Sequence, residues 1–69
     1  MMTGCTIAVY KKNERGYEWY AGRWNEEAGV GGLEEDATRY HTDQQIESAR
    51  AAIIATGGYN RISTVPWWL

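Results

Sequence analysis

Hydrophobic and polar positions alternate with period two from Cys5 to Tyr10. Cys5, Ile7 and Val9 fall on one side and Thr6, Ala8 and Tyr10 on the other. With β-branched residues among them, the stretch predicts a strand. The polar run Lys11 to Gly16 ends in glycine and predicts a hairpin connection. Tyr17 to Trp24 is the returning strand. Tyr17, Trp19 and Ala21 are expected on one face, and Glu18, Tyr20 and Trp24 on the other. Aromatics on both faces imply that one face covers a helix and the other is exposed or paired. Gly22, inside the strand, marks a bulge or a close backbone approach. Gly29, Gly31 and Gly32 are expected at or near the tip of a second hairpin, and Ala37 to His41 as the third strand.

The period changes at Thr42. Thr42 followed by Gln45 is a capping-box pattern, and Asp43 adds favourable charge in the first turn. Ile46, Ala49 and Ile53 recur at helical spacing on one face. Gly57 and Gly58 supply the stop. The apolar face is small, so the helix is expected to lie close against a sheet. Tyr59 to Val65 is the last strand, with Ile62 inward and Pro66 ending it. The order is β-β-β-α-β. The chain therefore predicts one α+β domain over residues 1–69, with one helix packed across an antiparallel sheet of three or four strands. Such a sheet leaves its second face open, and that face is expected to carry part of the Trp and Tyr set.

Composition sharpens this picture. A chain of 69 residues buries only about 60% of the surface it exposes when unfolded. Cys5 is the only cysteine, which excludes an internal disulfide, and Cys5 with His41 is too small a supply for a structural zinc site. Four Trp and five Tyr stand beside no Phe. These polar-tipped rings are enriched at interface centres, and nine exceed what so small a core encloses. The net charge of −2 argues against a general nucleic-acid binder, so no direct nucleic-acid contact is expected. No basic start followed by an apolar stretch marks a leader, no apolar run has membrane-spanning length, and one unpaired cysteine fits a reducing compartment. The expectation is a cytoplasmic protein.

The stretch NEEAGVGGLEED, Asn25 to Asp36, is where chemistry would have to lie. It lacks the spacing of either phosphate-binding glycine fingerprint, and carboxylates follow its glycines directly. Its acids come as adjacent groups rather than at the alternate positions of a calcium loop. No catalytic residue, cofactor or metal is expected. Cys5 reads as a small inward residue, and His41 as a boundary residue before the helix cap. An electrostatic role remains. Five carboxylates in eleven residues form either a surface that steers encounter with a basic partner or a solvated hairpin tip that keeps the protein soluble. Glu26, Glu27, Glu34, Glu35 and Asp36 are the expected contacts, with Tyr20, Trp24 and Tyr40 as aromatic anchors. The cluster Lys11 to Arg15 reads as an exposed turn.

Two resemblances follow from these residues. The opening TIAVY, Thr6 to Tyr10, in a small acidic domain without enzymatic motifs, resembles the small phage-encoded anti-CRISPR proteins. That resemblance implies a non-enzymatic inhibitor in the host cytoplasm, one that binds a Cas effector complex subunit and blocks target DNA binding or nuclease recruitment. The element order and TRYHTDQQIESARAAI, Thr38 to Ile53, are similar to the strand-into-helix passage of HicB antitoxins. NEEAGVGGLEED replaces the glycine-and-proline loop typical of that family. A small homodimeric assembly protein, joined through the open sheet face, is the remaining alternative.

Overall fold

The structure, a computed structural model, describes residues 2–68, with side chains for residues 4–66. A four-stranded antiparallel sheet carries one α-helix. The elements follow the expected order: β1 (Met2–Lys12), β2 (Glu18–Asn25), β3 (Val30–Gly32), α1 (Asp43–Thr56) and β4 (Arg61–Trp68). A single 3-10 turn, Glu34–Asp36, lies between β3 and α1. The strands are arranged β3-β2-β1-β4, so β1 is central.

The alternation of β1 sets the core. Cys5, Ile7 and Val9 are buried with Trp24, Tyr40, Ala49 and Ile53 in one cluster, against which Ile46, Tyr59 and Ile62 pack. Thr6 and Ala8, on the opposite face, are buried too. Thr6 stays satisfied because its hydroxyl accepts a hydrogen bond from Arg23 Nη1 at 2.7 Å. The capping box of α1 is complete. Thr42 Oγ1 accepts from the Gln45 N–H at 3.1 Å, and Gln45 Oε1 accepts from the Thr42 N–H at 3.3 Å. Gly57 takes φ 76° at the C-terminus, and its N–H closes onto the carbonyls of Ile53 and Ile54.

Three details differ from the sequence pattern. First, Trp24 is not on the face of Tyr20. Tyr10 pairs with Tyr20 and Ala8 with Arg23, so Val9 alone opposes Ala21 and Gly22. That extra residue is a bulge, and it reverses which face each later side chain takes. Second, the third strand is Val30–Gly32 rather than Ala37 to His41. The latter segment instead fills the edge of β1 beyond the last pair with β2. There Tyr40 and Cys5 exchange both backbone hydrogen bonds at 2.8 Å. Third, β4 runs through Pro66. Cys5 spends its backbone groups on Tyr40, so its pair with Pro66 is a non-hydrogen-bonded one and needs no proline N–H. β4 is also an edge strand, where proline is tolerated.

The glycines of the central stretch answer to this geometry. A Cβ on Gly31 would collide with the Ala21 carbonyl oxygen and lie 2.7 Å from Val9 Cγ2. β3 thus lies directly over the bulge, and Tyr59 Oη accepts from the Gly31 N–H at 2.9 Å. Gly31→Ala is expected to destabilise by about 1–3 kcal/mol in urea unfolding, the usual range for overpacking. Gly32→Ala, whose Cβ would meet nothing within 4 Å, should shift stability by roughly 0.5 kcal/mol or less. Equal effects would contradict this packing.

Candidate functional site

β2 separates two ends of different charge. Its eight residues span roughly 25 Å, in a molecule measuring 40 × 22 × 19 Å. At the β1–β2 turn lie Lys11, Lys12, Arg15 and Arg61 against Glu14 and Glu18. Arg61 meets Glu18 at 2.9 Å and covers the Tyr10 ring at 3.9 Å. The Arg61 hydrogen bond, with help from Asn60, holds the Glu18 carboxyl below its ordinary range. At the other end lie Glu26, Glu27, Glu34, Glu35 and Asp36, with Arg23 and Arg39 beside them.

The acidic residues do not share one face. Glu26 follows Trp24 onto the helix side, where the Tyr40 phenol donates to its Oε2 at 3.0 Å. Glu34 lies 3.9 Å from Arg23 Nη1, and Arg23 is on the opposite side of the sheet, bonded to Thr6. Two of the three expected anchors are unavailable to a partner. Trp24 and Tyr40 are 3% and 5% exposed and belong to the core. The bulge turns Trp24 inward, and the bridge to Cys5 fixes Tyr40. Tyr20 is 51% exposed and packs edge-to-face on Tyr10, but it stands at the basic end. The expected site residues are therefore not one constellation.

Two features escape the sequence pattern. Tyr17 and Trp19, 69% and 47% exposed, join Tyr20 at the hairpin end. Their nearness to a polar turn is the signal that points to them. The second feature is a groove of about 570 Å³ between the N-terminal half of α1 and residues 38–42, with Trp24 and Tyr40 among its lining. Reading Ala37 to His41 as a strand hides such a groove. The buried Trp24 Nε1 has no hydrogen-bond partner among the described residues, an arrangement that costs about 1–3 kcal/mol. Tyr40, in the same lining, is satisfied, and its pKa is pushed up to about 12 by burial and then by the adjacent Glu26 carboxylate.

Cys5 is the other buried titratable group. Burial pushes its thiol up, with a further contribution from the Asp43 charge, which disfavours the thiolate that a nucleophile requires. Among the described residues no group of three or more His, Cys, Asp or Glu is placed to hold a metal ion, and no helix is long and apolar enough to cross a membrane. No protein-family model, curated protein or solved structure matches the chain.

The two buried titratable groups make this packing testable. A phenol whose pKa is raised by folding keeps its full stabilisation below its unfolded value, near pH 10, and loses it as pH rises through about 12. Stability should therefore fall across that alkaline window, and Tyr40→Phe should flatten the fall in denaturant titrations at each pH. An unchanged slope would contradict the assignment. Cys5 should resist a thiol reagent in the native protein and react only on unfolding; rapid native labelling would contradict its burial.

Proposed function

We propose that the chain is a non-enzymatic inhibitor that acts by binding a protein, of the anti-CRISPR kind, with a subunit of a Cas effector complex as its partner. The exposure of Tyr17, Trp19 and Tyr20 at one end of the molecule carries this reading. Large aromatic side chains left in solvent are the residue type from which interface hot spots are built. Basic side chains flank them, and the acidic end supplies a potential of opposite sign that orients a charged partner during encounter. The resemblance of TIAVY to the anti-CRISPR proteins supplies the partner class.

A homodimer is the second reading. It is favoured by β4, an outer strand of eight residues whose far side meets no other strand among the described residues. Sedimentation of the isolated protein separates the two readings, since a dimer that persists on dilution without a partner would favour self-assembly.

The direct test is inhibition of target-DNA binding and cleavage by a panel of purified Cas effector complexes. The proposal expects inhibition of at least one complex. Trp19→Ala with Tyr20→Ala should weaken it by about 2 kcal/mol or more. Glu34→Lys with Glu35→Lys should slow association and reduce its salt dependence. Absence of inhibition across the panel would contradict the partner, and full inhibition by the aromatic double variant would contradict the contact surface.

A further inference from the structure

The outer edge of β2 is open along part of its length. β3 reaches only as far as Arg23, which pairs with Gly32. Residues 18–20 lie beyond it, and among the described residues no other strand flanks them on that side. Their backbone direction follows from β1. The Asn60 N–H donates to the Tyr10 carbonyl at 2.7 Å, so Tyr10 turns its backbone groups toward β4. Tyr20, opposite Tyr10, therefore stands in a non-hydrogen-bonded pair and turns its own N–H and C=O away from β1. Glu18, opposite Lys12, does the same two residues earlier. The Asn13 N–H, donating to the Tyr17 carbonyl at 2.9 Å, fixes the same parity from the hairpin side. Glu18 and Tyr20 thus hold two donors and two acceptors outward. Exposed rings flank them on both faces. Trp19, opposite Lys11, is on the helix side with Tyr59, and Tyr20 packs on Tyr10 on the other.

These features select an occupant. A row of outward N–H and C=O groups is matched by an extended backbone. An antiparallel strand meets all four groups with two residues, set opposite Glu18 and Tyr20, whereas a parallel one needs a longer run. The residue between those two faces Trp19 in a non-hydrogen-bonded pair, where side chains approach closely, and this suits a β-branched or aromatic side chain. Charge sets the remainder. This end holds Lys11, Lys12, Arg15 and Arg61 against Glu14 and Glu18, and Glu18 is already engaged by Arg61 at 2.9 Å. The excess of bases favours acidic side chains on the added strand.

We propose that the open edge of β2 takes up an extended, acidic segment of a partner protein as an antiparallel strand, in line with β3 and hydrogen-bonded to Glu18 and Tyr20. The proposal rests on the protein-binding reading above and names how the partner is held.

The test titrates the ¹⁵N-labelled protein with acetyl-Glu-Thr-Ile-Thr-Glu-amide at millimolar concentration. Its threonines are set opposite Glu18 and Tyr20, and its isoleucine opposite Trp19. Saturable shifts of the Glu18 and Tyr20 amide resonances are expected. N-methylation of either threonine removes an inward donor and puts a methyl group against β2, and should weaken binding by about tenfold or more. N-methylation of the isoleucine, whose N–H faces away from β2, should change affinity by about twofold or less. Lysine in place of both glutamates should weaken binding by about threefold or more. Absence of saturable shifts, shifts centred on Ile62 and Thr64 of β4 instead, equal effects of the threonine and isoleucine methylations, or equal binding of the lysine peptide would overturn the proposal. Binding on the expected pattern without inhibition of any Cas complex would leave the strand addition standing and remove the partner. Inhibition of a Cas complex in which the Glu18 and Tyr20 amides gain no protection from hydrogen exchange would remove the strand addition and leave the partner.

Discussion

The register between β1 and β2 turns on one inserted residue, and the rest of the structure depends on it. Val9 faces both Ala21 and Gly22. Gly22 takes φ 104°, and a Cβ there would lie 2.6 Å from the Gly32 carbonyl oxygen, so glycine fits both the turn of the chain and the approach of β3. Beyond the bulge the faces exchange. Trp24 enters the core, edge-to-face with Tyr59 at 6.0 Å, and Arg23 reaches Thr6 on the far side. Without the extra residue Arg23 would point into the apolar cluster, where an unpaired charge is heavily penalised. The buried face therefore enforces the register.

Local signals are the legible ones. The alternation of β1, the Thr42–Gln45 capping box, the Ile46–Ala49–Ile53 stripe and the Gly57 stop each depend on residues close in sequence, and each appears in the fold as expected. Gly22 is legible as a bulge, but its consequence for Trp24 is not, because parity is set by pairing with β1 rather than by β2 itself. Val30–Gly32 escapes notice because two of its three residues are glycine, which has low strand propensity. Those glycines are there for the close approach over Ala21 and Val9. Pro66 reads locally as a stop, and only the spending of Cys5's backbone groups on Tyr40 shows why the strand continues.

The candidate contacts are legible as residue types and not as a place. The acidic stretch is exposed, yet it divides between two sides of the sheet, with Glu26 tied to Tyr40 and Glu34 near Arg23. The exposed aromatics gather at the far end, beside Lys11, Lys12 and Arg61. An elongated molecule with opposite charge at its ends and aromatics in solvent at one of them is suited to oriented binding of a larger partner. The helix-side groove gives the acidic end a shape as well as a charge, and it exists because residues 37–41 leave the sheet order to cover the end of β1.

The parity change at Ala21 and Gly22 is tested most directly by proton–proton NOE spectroscopy of the Trp24 ring. Cross-peaks from Trp24 to the Tyr59 ring, with none to the Thr6 methyl, are the predicted result, since Trp24 packs on Tyr59 while Thr6 lies on the opposite face, bonded to Arg23. Cross-peaks joining the Trp24 ring to the Thr6 methyl, its cross-strand neighbour if the extra residue were absent, would place Trp24 on the far face and contradict the bulge, the core and the position of Glu26 together.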